Sequence, residues 1–200
     1  MSKSNYNIGF TLIEVLVATG ILTAVAFVVT SFAIDIFKSQ IYIGDNLEVE
    51  EEVEEALNII VPEVRSITDS SNGSYAIISA ASSSFSFYSN IDGDSLVERV
   101  RYYLEGTTFK KSVIKPSINP VVYDPSSEKI TILANNVISG NIFYYYDKTY
   151  ESTLGSQLEQ PVKVSIIRSV KINLTADKDI ILPPLPTSID AFINIRILKI

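Results

Sequence analysis

The hydrophobic pattern of this chain changes its period along the sequence. Residues 8 to 17, IGFTLIEVLV, begin an apolar run that one acid, Glu14, interrupts. From Val15 to Ile34 there is no charged residue. As a helix rising 1.5 Å per residue, that stretch is long enough to cross a hydrocarbon layer of ~30 Å. Beyond it, Val49, Val53, Leu57, Ile60, Val64 and Ile67 recur at spacings of four, four, three, four and three. Those spacings mark one face of a helix. Glu48, Glu50, Glu51, Glu52, Glu54 and Glu55 fall on the other faces and read as a solvated surface. The pattern predicts one helix from Thr11 to Ile67, roughly 80 Å long. Pro62 is expected to kink it or end it early, because proline removes a hydrogen bond and crowds the previous turn.

After Ile67 the period shortens. SITDSSNGS, residues 66 to 74, is a polar linker. Phe85 and Phe87 then alternate with Ser84, Ser86 and Tyr88, and IDGD, residues 91 to 94, reads as a hairpin turn. Val100, Tyr102 and Leu104 alternate with Arg99, Arg101, Tyr103 and Glu105. A turn at Glu105-Gly106 leads to a return strand, TTFKKSVI. Residues 115 to 128, with Pro116, Pro120 and Pro125, read as a loop. KITILA and NIFYYYD are further strands, residues 148 to 161 a surface loop, and VSIIRSVKINLTAD a long strand. ILPPLPTS is a proline-rich break, and AFINIRILKI a last strand of alternating isoleucines. Neighbouring strands predict a mostly antiparallel sheet with the apolar stripe of the helix against one face, an α+β fold. No repeat and no second globular domain are evident.

Composition narrows the chemistry. Two hundred residues suffice for one domain with a core, and 46% hydrophobic with 20% charged residues is neither a disordered nor a multi-span composition. A net charge of −7 argues against nucleic acid as a partner. The chain has no cysteine and no histidine, which excludes disulfides, thiol catalysis, serine–histidine triads and most zinc sites. No cofactor is implied.

The start of the chain admits three readings. Lys3 is the only charged side chain before residue 10, and the far flank is acidic, so the N-terminus is expected to stay in the cytoplasm. A cleaved secretory signal would use Ala24-Val25-Ala26, but the apolar run continues through Phe27, Val28 and Val29. A plain signal anchor leaves Glu14 unexplained, since a bare acid in a bilayer costs several kcal/mol. Gly-Phe-Thr-Leu-Ile-Glu followed by an apolar helix resembles the class III signal of type IV prepilins and type II secretion pseudopilins, over residues 3 to 37.

The resemblance implies cleavage by a prepilin peptidase between Gly9 and Phe10 and N-methylation of Phe10. It implies that Glu14 neutralises the N-terminal amine of a neighbouring subunit during assembly. It further implies other pilins or pseudopilins and an inner-membrane assembly platform as partners. The lipid membrane holds the chain before assembly, and the fibre carries it outside the cell. The parts are then a leader, 1–9; an assembly helix, 10–37; its amphipathic continuation, 38–67; and a β-rich head, 68–200. The small pair Gly20-x-x-x-Ala24 permits close helix packing but is unspecific. Major pilins often carry a proline within this segment; here there is none. The head strands, in their order, resemble the larger minor pilins, the W-type of type IV pili and the J-type pseudopilins of type II secretion. That implies a subunit of the tip or initiation complex.

Other candidates have plainer readings. Asp92, Asp94 and Glu98 offer oxygen ligands of the kind calcium takes, without EF-hand spacing. Asp92-Gly93-Asp94 reads first as a turn. Asp177 and Asp179 raise the same idea. Tyr144, Tyr145 and Tyr146 suggest a sticky patch, although strand alternation buries at least one. Arg99 and Arg101 suggest a contact with another subunit or an anion, and read first as a solvated face. Asn72 and Asn173 fit the glycosylation pattern, which carries little weight in a prokaryote. An anchored enzyme would need a Ser/Lys or carboxylate pair, and none stands out. The alternative to a pilin is a signal-anchored, adhesin-like binding domain.

Overall fold

The computed structural model describes residues 11–150, 156–178 and 186–195. The chain divides into two compact units, Met1–Gly44 and Asp45–Ile200. A single helix, α1 (Leu12–Arg65), opens the described chain. Five strands follow: β1 (Ile77–Ala80), β2 (Ser84–Ser89), β3 (Glu98–Glu105), β4 (Thr108–Ile114) and β5 (Lys129–Ala134). They form one sheet in the order β1-β2-β3-β4-β5. The strands β6 (Phe143–Tyr146), β7 (Ser169–Ala176) and β8 (Thr187–Asn194) form a second, three-stranded sheet in sequence order. Every pairing between these strands is antiparallel. The fold is α+β.

In the second unit, the predicted helical stripe is the centre of the core. Val49, Val53, Leu57, Ile60, Val64 and Ile67 are all buried, with Ala56 between them. They share one apolar cluster with Phe85, Phe87, Val100, Tyr102 and Phe109 of the first sheet. Phe143, Tyr145, Val170, Ile172 and Leu174 of the second sheet belong to the same cluster. Period-2 alternation puts these side chains on the inner faces and leaves Arg101 and Lys110 on the outer one. Of the acids from Glu48 to Glu55, all are exposed except Glu52, which is half-buried. Its carboxylate accepts from the Asn135 N–H at 2.8 Å, and Glu48 pairs with Lys178 at 2.8 Å.

The helix runs through Pro62 and stops at Arg65. The carbonyl that the proline deprives of a donor belongs to Asn58, and both residues are solvent-exposed, so water can take the place of the missing N–H. The helix end is tied down at Glu63. Its backbone carbonyl accepts from the Ser66 N–H (3.2 Å), the Ser66 hydroxyl (3.1 Å) and the Ser89 hydroxyl of β2 (3.2 Å). These bonds satisfy a carbonyl that every helix terminus leaves open.

One charged pair lies inside this packing. Lys111 belongs to the inward-facing row of β4, where a solvated lysine is not expected. It pairs with the Glu63 carboxylate of α1, and the Tyr102 hydroxyl donates to the same carboxylate at 2.5 Å. Both charged side chains are nearly buried, at 13% and 14% exposure. Burial, then the adjacent Glu63, push the Tyr102 hydroxyl far above the ordinary phenol range, so it stays a donor.

The strand pattern departs from expectation in four places. There are two sheets, joined where the Ile142 and Phe143 N–H groups donate to the Ser82 carbonyl (2.8 and 2.9 Å). β1 is an additional strand in a serine-rich stretch of weak alternation. The expected long strand from Val164 begins with a 3-10 turn, Val164–Ile166, before β7. β8 starts at Thr187, inside the expected proline-rich break, because Thr187 and Ser188 pair with Ala176 and Thr175 of β7. The remainder of the expected last strand, residues 196 to 200, lies outside the described residues. The Gly106 turn is tight, as expected. Gly106, at φ 63°, takes the first central position of a two-residue hairpin loop, where a II′ turn favours glycine.

Candidate functional site: the N-terminal segment and an acidic loop

Gly9 and Phe10 lie outside the described residues, and Glu14 lies within them. Thr11 is the residue just before the helix and Glu14 is in its first turn. The Thr11 N–H and hydroxyl both donate to one Glu14 carboxylate oxygen, each at 2.9 Å. The Glu14 N–H donates back to the Thr11 hydroxyl oxygen at 3.3 Å. This is a capping box, in which two open donors of the helix start are satisfied by side chains. Among the described residues, the other Glu14 oxygen accepts no hydrogen bond.

Within Leu12–Gln40 an 18-residue stretch of the helix reaches a mean hydropathy of 2.5, and the segment is long and apolar enough to cross a membrane. Its apolar side chains are exposed on every face, among them Leu16, Ile21, Leu22, Val28 and Phe32. A helix apolar all round belongs in lipid or in the interior of an assembly. The hydroxyls fit the same environment. Thr19, Thr23, Thr30 and Ser31 each donate to the carbonyl four residues earlier, at 2.7 to 3.0 Å. None of the four needs water. Gly20 has open space beside it, so the small Gly20/Ala24 face is available for close packing.

The expected IDGD hairpin is a longer loop, residues 90 to 97, closed by the pairing of Ser89 with Glu98. Its shape comes from side chains bonding to backbone. The Asn90 amide oxygen accepts from the Gly93 N–H (2.7 Å), and Gly93 has φ 74°. Asp92 accepts from the Asp94 N–H (3.2 Å) and Asp94 from the Leu96 N–H (2.6 Å). Lys115, just after β4, bridges both acids at 2.6 Å. Glu98, the third acid of the group, opens β3 and is 1% exposed. Burial raises its pKa above the ordinary carboxylate value, and the charges of Asp92 and Asp94 add to the rise.

A pH dependence follows. A carboxyl whose pKa is raised by folding binds more protons folded than unfolded, so stability falls as pH rises from the unfolded glutamate value through the raised one. With divalent ions removed, Glu98→Gln is expected to flatten that slope and to stabilise the protein at neutral pH. Thermal unfolding of both proteins across pH 4 to 8 checks it. An identical slope in the two would show that Glu98 does not titrate in that window.

The remaining candidates separate clearly. Tyr145 is buried and its hydroxyl donates to the Ala81 carbonyl (2.9 Å), whereas Tyr146 packs on Tyr150 and Phe192. The tyrosine run is therefore mainly core. Arg101 lies on the outer sheet face, 4.5 Å over the Tyr103 ring. Asn72 and Asn173 are both engaged in side-chain hydrogen bonds. Asp177 directly follows β7, and Asp179 lies outside the described residues. Lys110, Lys115 and Lys171 are each paired to acids that raise their pKa, the wrong direction for a lysine general base.

Residues 4–30 match a family model described as the prokaryotic N-terminal methylation motif. No curated protein matches the sequence. The matched span contains Gly9, Phe10 and the Thr11–Glu14 capping box at the head of the apolar helix. Over that segment the chain carries a type IV prepilin-like signal.

Proposed function

We propose that this protein is a minor pilin or pseudopilin, a non-enzymatic subunit of the tip or initiation complex of a type IV pilus or type II secretion-like fibre. The observation that carries the reading is Glu14. An acid stands at the head of a helix whose apolar side chains are exposed on every face, inside the span that matches the methylation motif. In this reading a prepilin peptidase cuts between Gly9 and Phe10 and Phe10 is methylated. The helix holds the subunit in the inner membrane, head outward, until the assembly platform moves it into the fibre. There the carboxylate of Glu14 meets the N-terminal ammonium of a neighbouring subunit. Each ion offsets the desolvation of the other only when they pair, so the pair fixes the axial register of the helices. The order of the head strands supports the placement among the larger minor pilins.

Intact-mass spectrometry of the protein from cells with and without the prepilin peptidase tests this. The expected product lacks residues 1 to 9 and carries one added methyl, only when the peptidase is present. A chain starting at Met1 in both strains, or cut after Ala26, would overturn the reading and leave an anchored or secreted binding domain.

A further inference from the structure

The loop between β2 and β3 is built as a cation cage, and its present occupant fits it incompletely. Asp92, Asp94 and Glu98 each use one carboxylate oxygen to hold backbone. The donors are the N–H groups of Asp94, Leu96 and Ile91, at 3.2, 2.6 and 3.1 Å. Each carboxylate turns its other oxygen toward one point. At that point lies the Lys115 ammonium, 2.6 Å from Asp92, 2.6 Å from Asp94 and 4.0 Å from Glu98. The last distance is too long for a hydrogen bond. The inward Glu98 oxygen is buried and has no hydrogen-bond partner among the described residues. A buried carboxylate oxygen without a partner is costly and calls for an explanation.

The sequence alone favours a simple turn here, because aspartates beside glycine make turns without any ion. Glu98 changes the weighing. One oxygen from each of the three acids lies within 4.8 Å of the others. From there a small shift of the side chains brings all three onto one ion at ~2.4 Å, the calcium–oxygen distance. One ammonium offsets a single charge among the three acids, whereas a divalent ion would offset two. The ligands are all hard oxygens, which excludes a preference for zinc or copper. Asp92 and Asp94 sit on an irregular loop and Glu98 at the first position of β3, and carboxylates that bind through one or both oxygens suit the variable geometry of calcium better than the strict octahedron of magnesium. Asp92 and Asp94 are exposed, so water can complete the coordination.

We propose that Asp92, Asp94 and Glu98 bind a divalent cation of the calcium class in place of the Lys115 ammonium. The bound ion would lock the β2–β3 loop, which the Ser71 hydroxyl (to the Val97 N–H, 2.8 Å) and the Tyr123 hydroxyl (to the Val97 carbonyl, 2.7 Å) already hold from the other side. The assignment stands whether or not the chain assembles into a fibre.

The test uses the full-length protein in detergent micelles, stripped with a chelator. Terbium luminescence excited through tyrosine reports binding, with Tyr123 and Tyr88 near the loop, and calcium is titrated in to displace it. Native protein is expected to bind calcium saturably and to unfold at higher temperature when loaded. Glu98→Gln, which keeps an acceptor for the Ile91 N–H, is expected to weaken binding about tenfold or more. Lys115→Met removes the competing charge and is expected to tighten it about tenfold. Circular dichroism verifies that both variants fold. The proposal is overturned if native protein does not bind calcium, even where Lys115→Met does. It is equally overturned if Glu98→Gln binds as tightly as native.

Discussion

Glu14→Ala is expected to be cut and methylated like the native chain and yet to be missing from the fibre. In the proposed reading, processing depends on the Gly9–Phe10 junction, which the substitution leaves untouched. In the same reading, assembly would bury an ammonium that then has no partner. An unpaired ion in a low-dielectric environment costs several kcal/mol, and ~3 kcal/mol alone is a factor above 100 in incorporation. The capping box supplies a sharper variant. Glu14 accepts two hydrogen bonds from Thr11, so alanine removes a helix cap as well as a charge. Losing a cap costs about 1 kcal/mol and could by itself loosen the first turn. Glu14→Gln keeps an acceptor for Thr11 and removes only the charge. Quantitative blotting of sheared fibres against membranes should find both variants in the membrane and neither in the fibre. If Glu14→Gln assembles normally, the acid serves only to cap its own helix, and the intersubunit ion pair is wrong.

What the sequence made legible follows from how local each signal is. The stripe from Val49 to Ile67 was readable because helical spacing is a property of neighbouring residues, and all its positions are buried. The β3–β4 hairpin was readable because Gly106 stands where a tight turn needs positive φ. The split into two sheets was not, because it depends on Ser82 meeting Ile142 and Phe143, and on Ala81 meeting Tyr145, across residues far apart in the chain. Glu63 and Lys111 look like surface residues in the pattern, and only the packing of α1 shows them paired indoors. The acidic loop was half legible. Asp92, Asp94 and Glu98 were visible as oxygen donors, but the buried oxygen of Glu98 and the reach of Lys115 are tertiary facts.

The second large effect tests whether the two sheets share one core. Phe85→Ala is expected to destabilise the protein by about 3–5 kcal/mol, the usual cost of deleting a buried phenylalanine. Phe85 is fully buried on β2, in the first sheet. Its ring lies 4.9 Å from Phe87 in its own sheet, and 5.8 and 5.4 Å from Phe143 and Tyr145 in the other. The substitution opens a cavity where the sheets meet, and the backbone bonds at Ser82 restrain the walls from closing over it. Against a total stability of about 5–15 kcal/mol, that loss is a large fraction. Phe192→Ala is the comparison. Phe192 is 42% exposed and packs on Tyr146 and Tyr150 at the outside of β8. Its removal should cost about 1 kcal/mol, because much of the ring already meets water. Urea unfolding followed by far-ultraviolet circular dichroism measures both. A single transition shifted far down by Phe85→Ala means that the sheets unfold together around that ring. Two separated transitions in the native protein, or a Phe85→Ala cost no larger than that of Phe192→Ala, would mean that each sheet stands on its own and that the ring between them is filler.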